Sequence, residues 1–290
     1  MKNIDRRSFI RATLAGAGAL VIPWPTAPVR AAQPKKFSTS DRVVLNKTGI
    51  ATSRLAIGSG THGFNKGSNQ TKLGLDTFVG LIRESFDRGM TFWDMADQYG
   101  SHTYFREALK YVPRDKVVIL TKVWTRDAAG VKADIERFRQ EIGTDVIDIL
   151  LLHCLTDDNW TTDMRATMDV VSEAREKGLL RTYGCSCHSL GALKKAADSE
   201  WVEVLLSRIN HRGVAMDADP ATVVPVLRQA HDSGKAVIGM KIAGAGDLRS
   251  QISQSLQFSL SQGFVDAFTM GFESVAELDD LMGKVAAVEV

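Results

Sequence analysis

The sequence predicts an α/β fold, a (β/α)8 TIM barrel with a short N-terminal β-hairpin, and three observations support it. Short apolar, β-branched runs alternate eight times with longer amphipathic stretches, which indicates parallel strands joined by helices. Eight strand–helix pairs close this barrel, and about 250 residues is its usual size. Removing residues 1–31, interpreted below as a targeting segment, from the 290-residue chain leaves 259. Hydrophobic content of 44% and charged content of 24% exclude a disordered or coiled-coil chain.

The eight predicted strands are apolar runs of four to eight residues, namely Leu55–Gly58, Thr91–Asp94, Val117–Thr121, Ile147–Leu152, Leu180–Cys185, Val202–Ile209, Ala236–Met240 and Val265–Met270. The predicted helices span residues 74–88, 103–111, 131–142, 163–177, 189–199, 220–233, 248–262 and 274–285. Apolar side chains recur at helical spacing along residues 131–142. Four of the helices are followed by a residue type that commonly ends helices, at Gly89, Gly143, Gly178 and Gly234.

The segment before the first barrel strand predicts the hairpin. Residues 43–50 form a short apolar and turn-rich stretch that could close the bottom of a barrel. A doubly wound open sheet is the alternative, and it would normally carry a G-x-G-x-x-G motif after its first strand. Residues 57–63 contain glycines but not that motif, which favours the barrel.

Residues 1–31 resemble a twin-arginine signal peptide. Residues 5–11 contain paired arginines, a phenylalanine two positions on and a further basic residue. The weakly apolar run 12–22 is too short to span a bilayer as a helix, and Val29 and Ala31 suit cleavage after position 31. A disordered basic tail is the alternative interpretation. The resemblance implies the twin-arginine translocation machinery as a partner and a periplasmic or otherwise exported protein.

The formal net positive charge of the chain comes from this N-terminal segment. The whole chain has 36 Lys+Arg and 34 Asp+Glu, and residues 1–32 contain five of the former and one of the latter. The remaining chain therefore has 31 positive and 33 negative groups and is close to neutral. Nucleic-acid binding loses its compositional support, and no stable membrane span is expected.

The three cysteines are expected to be unpaired. Cys154, Cys185 and Cys187 lie in or directly after apolar, strand-like runs. A Cys-x-Cys pair alone is too sparse for a structural zinc site, so no metal is expected there. A disulfide framework is also unexpected in a domain with so large a core.

Polar residues stand at the ends of three successive predicted strands. Asp94 ends the second strand, Lys122 follows the third and His153 follows the fourth, while Tyr99 lies in the loop after the second. Each residue alone would suit a solvated loop start or a satisfied core position. In a barrel, however, all four meet at the C-terminal ends of the strands, where active sites lie.

These four side chains suit chemistry on a proton. A buried Lys122 needs a carboxylate, and Asp94 could supply it. The charged Lys122 is expected to lower the pKa of the Tyr99 phenol, so that Tyr99 acts as a general acid. His153 could orient a carbonyl or share the proton. Because no Ser or Cys nucleophile accompanies them, the attacking group is expected to come from a cofactor, and a hydride donor fits.

Four segments together resemble the aldo-keto reductase family, namely residues 92–100, 120–122, 148–153 and 178–186. The first is similar to the family's F-D-T-A-x-x-Y-G and the last to its G-x-x-R-x-x-G-x-S. The resemblance covers roughly residues 45–285. It implies a (β/α)8 barrel that binds NADP or NAD across the strand ends and acts on a small-molecule carbonyl or alcohol substrate.

The resemblance also implies roles for individual residues. Tyr99 would be the proton donor, Lys122 and Asp94 its tuning pair, and His153 the residue that orients the substrate. The implied cofactor contacts are Gly60, Thr61, Asp94, Ser186, Asn210, Lys241, Gly244, Gly271 and Ser274.

Two positions depart from the family pattern near the nicotinamide. The asparagine that usually follows the serine is Cys187 here. Ile209 stands where an aromatic ring would stack on nicotinamide, unless another register gives that place to His211. Each departure puts a cofactor contact in doubt.

A third departure concerns the choice of cofactor. Residues 270–274 resemble the family's P-G-x-[KR]-S, whose basic residue holds the 2′-phosphate of NADP, but Glu273 occupies that position. A carboxylate beside a phosphate costs about 1 kcal/mol or more even in solvent. We therefore expect weakened NADP preference and use of NAD, unless the register is shifted by one residue or Lys241 or Arg249 compensates.

Two other functions remain open from the sequence. A barrel that has lost turnover and acts as a ligand-binding protein would suit the departures at Cys187 and Ile209. A metal-dependent barrel hydrolase would need converging ligands, and His62, Asp94 and His153 could be counted. The intervening Lys122 argues against a cation there.

Overall fold

A computed structural model describes residues 36–290, and over this range the predicted TIM barrel is confirmed. The strands close into one parallel barrel in which each strand pairs with its neighbours in chain order and the last pairs with the first. They are β3 (Leu55–Gly58), β4 (Phe92–Asp94), β5 (Val118–Val123), β6 (Ile147–Leu155), β7 (Leu180–Cys187), β8 (Val204–Arg208), β9 (Ala236–Met240) and β10 (Ala267–Met270). The predicted signal peptide, residues 1–31, lies outside the described residues.

The helices form the outer layer, one longer helix following each barrel strand. The longer ones are α2 (Leu75–Asp87), α3 (His102–Ala108), α4 (Ala128–Ile142), α6 (Arg165–Glu176), α7 (Leu190–Asp198), α8 (Pro220–Asp232), α9 (Ile252–Leu260) and α10 (Val275–Ala286). Two short helices, α1 (Asn69–Lys72) and α5 (Trp160–Asp163), lie in the connections after β3 and β6. None of the helices in residues 36–290 has both the length and the apolar character needed to cross a bilayer.

The predicted N-terminal hairpin is confirmed and closes the bottom of the barrel. Strands β1 (Arg42–Val44) and β2 (Ala51–Ser53) pair antiparallel. Leu45 and Ile50, in the turn between them, are almost fully buried and belong to the cluster of side chains that fills the barrel interior. Asn46 fastens the turn, since its side-chain amide donates to two backbone carbonyls of the α8–β9 connection at 2.8 Å each.

Strand periodicity decides which side chains fill the barrel and which reach its mouth. Alternate residues of a strand point to opposite faces, and the inward positions of β5 are Val118 and Leu120, followed by Lys122. On β6 the inward Ile149 and Leu151 are followed by His153. The same alternation carries β8 from Val204 and Leu206 to Arg208, and β10 from Ala267 to Thr269. A polar layer therefore lies on top of the apolar interior.

Three strands extend further than predicted. β5, β6 and β7 continue two or three residues past the apolar runs, so Lys122 and His153 lie within strands and not after them. Strand pairing uses backbone groups, so it continues where the side chains are polar. Helix α4 begins three residues early because Asp127 caps it, accepting a bond from the backbone N–H of Gly130 at 2.8 Å.

All three thiols are free. Cys185 and Cys187 are buried on the outer face of β7, with their Sγ atoms 3.8 Å apart, and Cys154 is half-buried.

Candidate active site

The four side chains predicted to act together lie at the C-terminal mouth of the barrel. Lys122 and Asp94 are almost fully buried and form an ion pair. The Lys122 ammonium also donates to the backbone oxygen of Met95 at 2.9 Å and lies 4.9 Å from the centroid of the Tyr99 ring. The second carboxylate oxygen of Asp94 accepts from the Thr269 hydroxyl at 2.7 Å. The ion pair is thus held from β4, β5 and β10.

His153 approaches Tyr99 from the other side. Its Nε2 atom is 3.4 Å from the Tyr99 hydroxyl oxygen, and the two rings meet edge to face at 5.6 Å. A bulge in β6 begins after Leu152, and Cys154 adopts a left-handed backbone with φ of +59°. The backbone N–H of Cys154 donates to Ser186 Oγ at 2.8 Å, which fastens the bulge to β7. The bulge therefore aims His153 at the phenol.

Lys122 is charged in this environment. Burial by itself favours the neutral amine, but the Asp94 carboxylate and the neighbouring Tyr99 oxygen outweigh it and raise the pKa of Lys122. The pair therefore places a fixed positive charge beside the phenol at neutral pH.

The expected lowering of the Tyr99 pKa is wrong. Burial is the largest influence and raises the pKa of the phenol, and the lowering effect of the Lys122 charge only partly offsets it. Burial also lowers the pKa of His153 well below its ordinary value, helped by the nearby charge of Lys122. At neutral pH the site thus has a protonated phenol against a neutral imidazole.

A cavity of about 330 Å³ opens from Tyr99, Lys122 and Asp94 toward β9, β10 and α10. Close packing shapes its inner end. A Cβ atom at Gly60 or Gly63 would lie 2.3 Å from atoms of the Tyr99 ring, so only glycine lets the β3–α1 loop approach the phenol so closely. The glycines therefore hold the ring in place at the inner end of the cavity.

The structure brings together five of the nine residues predicted to contact a cofactor. The cavity is lined by Gly60, Thr61, Asp94, Lys241 and Gly271. Thr61 is fixed by Gln70, whose side chain accepts from the Thr61 backbone N–H at 3.0 Å and donates to its hydroxyl at 2.9 Å. Gln70 was missed from the sequence, because the pairing depends on the short helix α1.

Two other predicted contacts lie beneath the cavity surface. Ser186 is buried and uses its hydroxyl to fasten the β6 bulge. Asn210 is fully buried, and its side-chain amide donates to the backbone oxygens of Val214 at 2.8 Å and Lys241 at 3.1 Å. In this structure Asn210 therefore joins the loops that follow β8 and β9.

The last two predicted contacts, Ser274 and Gly244, do not line the cavity but stand next in sequence to residues that do. Ser274 caps α10 by accepting from the backbone N–H of Glu277 at 3.2 Å. Gly244 begins a short turn, Gly244–Gly246, after β9, with a left-handed φ of +55°. The helix start and the turn set the backbone around the cavity.

A sequence model described as the aldo/keto reductase family matches residues 56–286, which includes every barrel strand except the first residue of β3. The chain belongs to the aldo/keto reductase family.

Two relatives of the chain have low sequence identity to it. The NADH-specific methylglyoxal reductase of Escherichia coli K12 is 25% identical over 168 residues, 50% of this chain and 51% of that protein. The L-galactose dehydrogenase of Arabidopsis thaliana is 22% identical over 289 residues, 84% of this chain and 88% of that protein. The match thus spans about half the length of the first relative and most of the second.

A solved structure shows the same fold. The aldo-keto reductase AKR11C1 of Bacillus halodurans, in its holo form, superposes with a TM-score of 0.65 and 18% identity. The superposition covers 89% of this chain and 92% of that one. At this identity the likeness concerns the barrel alone.

Neither residue considered for stacking on nicotinamide lines the cavity of this aldo/keto reductase. Ile209 is fully buried in the outer layer between barrel and helices, because it follows the inward Arg208 by one position. The His211 ring bonds Ser255 at 2.9 Å and Gln251 at 3.2 Å. Met240, at the inward end of β9, lines the cavity instead.

The far end of the cavity is acidic. Glu273, Glu277 and Asp280 line it together. Glu273 accepts from the Asn69 side chain at 2.8 Å, and Glu277 accepts from the Glu273 backbone N–H at 2.8 Å. Of these three carboxylates, the sequence analysis singled out only Glu273. Glu277 and Asp280 follow it at helical spacing on α10, and that spacing could have indicated them.

The residues counted toward a metal hydrolase do not form a metal group. Within residues 36–290, the one His/Asp/Glu group close enough to share an ion is Asp97, His102 and Glu141, on the outside of the barrel. Arg137 already pairs with Asp97 and Glu141, and its charge opposes a cation there. Asp94, the candidate ligand at the mouth, is paired with Lys122.

This outer network braces the strand that carries Lys122. The His102 ring bonds Glu141 through Nδ1 and the Thr121 hydroxyl through Nε2, both at 2.7 Å. Burial lowers the pKa of His102, so the neutral ring donates from Nδ1 and accepts at Nε2. That bond, with the neighbouring Arg137, lowers the pKa of Glu141 to about 2.

We expect this carboxylate to stabilise the fold only while it is ionised. Because its pKa is depressed in the folded state, the contribution is complete above about pH 4.5 and disappears as the pH falls toward 2. Allowing for its one-third exposure, we expect a contribution of about 1–2 kcal/mol. Urea unfolding of wild type and Glu141→Gln should give a stability difference that shrinks between pH 5 and pH 2.5. A difference independent of pH would contradict this.

Proposed function

We propose that the protein is an NAD(P)-dependent oxidoreductase that transfers a hydride between nicotinamide and a carbonyl or alcohol substrate, with Tyr99 as the general acid. One observation carries the proposal. The protonated Tyr99 phenol stands at the inner end of an open cavity, between a charged lysine and a neutral histidine. A proton donor without an adjacent nucleophile suits reduction of a carbonyl by a bound hydride donor.

The donor set along the cavity fits a dinucleotide. Lys241 and Arg249 both line it, and within the described chain neither forms an ion pair. Their charges are available for a pyrophosphate. When bound, the dinucleotide supplies the hydride.

The protein's own residues handle the proton. Tyr99 donates its phenolic proton to the substrate oxygen, and the Lys122 charge stabilises the phenolate that remains. Asp94 keeps Lys122 charged in a buried position. The neutral His153 ring, whose Nε2 atom is 3.4 Å from the phenol, orients the carbonyl by donating an Nε2–H hydrogen bond to the substrate oxygen.

The test of this function starts from the purified protein. Any bound small molecule is released and identified by mass. The protein is then incubated with reduced dinucleotide that carries deuterium at the nicotinamide C4 and with a panel of aldehydes and ketones. Deuterium at the carbinol carbon of the product is the expected result. Dinucleotide binding without turnover would support the ligand-binding alternative, and absence of dinucleotide binding would refute both.

We expect NAD to bind at least tenfold more tightly than NADP. The three carboxylates at the far end of the cavity would repel a 2′-phosphate, whereas a carboxylate can accept from a ribose 2′-hydroxyl. The E. coli relative is named as NADH-specific, which agrees with this expectation. Dissociation constants for both dinucleotides provide the measurement, and NADP binding tenfold tighter than NAD would reverse the conclusion.

A charge reversal sharpens the same prediction. Glu273→Lys should tighten NADP binding about tenfold or more and leave NAD within a few-fold. Glu176→Lys, an exposed reversal on α6 on the outside of the barrel, is the control and should change neither constant. If the dissociation constant for NADP is unchanged in Glu273→Lys, the adenosine end of the dinucleotide binds elsewhere.

We also propose that residues 1–31 direct export through the twin-arginine route, with the protein folded around its cofactor before transport. The paired arginines, the weak apolar run and the cleavage site support this. Replacing both Arg6 and Arg7 with Lys should retain the protein in the cytoplasm of a bacterial host. Continued export of that variant would exclude this route.

A further inference from the structure

Tyr99 also faces a second region that does not line the cavity. We call it the outer shelf, formed by Phe64, Trp124, Arg126 and His153. The His153 ring contacts Tyr99 on one side and Trp124 on the other, edge to face at 5.4 Å. Phe64 meets Trp124 at 6.3 Å. The shelf thus begins at the reacting phenol and runs outward, away from the region assigned to the dinucleotide.

Two large aromatic side chains of the outer shelf remain accessible. Phe64 is 59% exposed and Trp124 is 37% exposed. Exposed aromatic rings at the mouth of a pocket offer flat apolar area at low conformational cost. Because they adjoin Tyr99, they suit the body of a substrate whose carbonyl reaches the phenol.

The outer shelf also carries a charge without a counter-ion. Arg126 forms no ion pair within residues 36–290. Its Nη2 atom donates hydrogen bonds to the backbone oxygens of His153 at 2.6 Å and Cys154 at 3.4 Å. The guanidinium lies 5.4 Å from the centroid of the Trp124 ring. Two backbone contacts hold it in place, and its remaining N–H groups are free to donate.

The electrostatic field around the outer shelf has the same positive sign as Arg126. Three cations act on His153, namely Lys122, Arg126 and Lys241, and each opposes protonation of its ring. Arg208 adds a further cation at the end of β8, although Asp217 pairs with it. The acidic residues that line the cavity lie at its opposite end. The substrate side of the mouth therefore favours an anion.

We propose that the substrate is an aromatic carbonyl compound bearing a carboxylate, with its ring against Phe64 and Trp124 and its carboxylate on Arg126. This inference rests on the proposed function, because it assigns the carbonyl to Tyr99. The carboxylate accepts from the free N–H groups of Arg126, a charge-assisted contact that a neutral amide of the same shape cannot reproduce. Arg126 is thus a specificity-determining residue.

The experiment compares two probes of nearly equal shape, 4-carboxybenzaldehyde and 4-formylbenzamide, as substrates of the full protein with NADH. We expect the carboxylate to have at least tenfold higher kcat/KM. Raising the salt concentration should reduce that preference, because exposed charges are screened. Arg126→Gln should lower the carboxylate-to-amide ratio about tenfold. Arg165→Gln, at an exposed arginine of α6, is the matched control and should preserve the ratio.

The aromatic part of the shelf has its own readout. Trp124→Ala should raise the KM for 4-carboxybenzaldehyde about tenfold and change that for the aliphatic acid 4-oxobutanoate much less. Equal losses for both acids would show that Trp124 supports His153 and does not bind the ring, and would overturn this part of the proposal.

Binding measurements separate the two proposals. Calorimetric titration with 4-(hydroxymethyl)benzoate and its amide reports the anion site without requiring turnover. Tighter binding of the acid than of the amide, with this difference lost in Arg126→Gln, supports the outer shelf as an anion site. If the protein shows this binding but reduces no aldehyde, only the proposed function fails. Equal binding and equal turnover of acid and amide overturn the shelf while leaving the reductase proposal intact.

Discussion

Replacing Tyr99 with Phe is expected to lower kcat for carbonyl reduction about a thousandfold. General acid catalysis contributes about a hundredfold to ten-thousandfold, and within the described mouth the phenol is the protonated group that directly adjoins both Lys122 and His153. The phenyl ring still fills the space beside Gly60 and Gly63, so the loop should keep its position. Steady-state kinetics at neutral pH, with dinucleotide binding measured separately, provide the test.

Dinucleotide binding is the internal control for that variant. The hydroxyl of Tyr99 is oriented toward His153, so its loss should change the dissociation constant by no more than a few-fold. Tyr104→Phe is a matched control, because it removes a phenol that bonds the backbone oxygen of Thr71 outside the mouth, and it should retain activity. Undiminished turnover by Tyr99→Phe would refute the role assigned to the phenol.

Lys122→Met is expected to reduce both stability and activity. Asp94 would lose the ammonium that compensates its charge, and breaking a buried ion pair from one side costs about 3–5 kcal/mol of unfolding free energy. Activity should fall by at least a hundredfold, since the phenolate formed during reduction loses its stabilising charge. Chemical denaturation and kinetics of the same preparation measure both effects.

A double variant separates those two effects. Lys122→Met combined with Asp94→Asn leaves no unpaired buried charge and should regain most of the lost stability, while remaining inactive. The Asn side chain can still accept from the Thr269 hydroxyl. If activity returned together with stability, Lys122 would be important only for folding, and its assigned role at the phenol would be wrong.

Much of the barrel could be predicted because its signals are local. Apolar runs and amphipathic stretches each span one element, and the eightfold alternation then leaves few topologies. Boundaries were less accurate, because the third and fourth predicted strands ended directly before the polar residues Lys122 and His153. In the structure β5 and β6 continue through Lys122 and His153.

The candidate site was partly predictable for a related reason. Asp94, Lys122 and His153 occupy the inward position that follows the last apolar one on three successive strands, and the structure brings them together with Tyr99. The same alternation could have indicated Arg208 and Thr269. It also explains Ile209, which was placed near the nicotinamide by its resemblance to a motif but faces the outer layer.

The sequence by itself determined the fold class and the identity of the four side chains at the mouth, because strand periodicity and chain order are local properties. Only the tertiary structure decided the state of those groups and what surrounds them. The direction of the Tyr99 pKa shift depends on burial, which outweighs the nearby Lys122 charge. The acidic far end and the cationic outer shelf likewise depend on distances between side chains far apart in sequence. Electrostatic energies sum over distances in space, which no single segment of the chain contains.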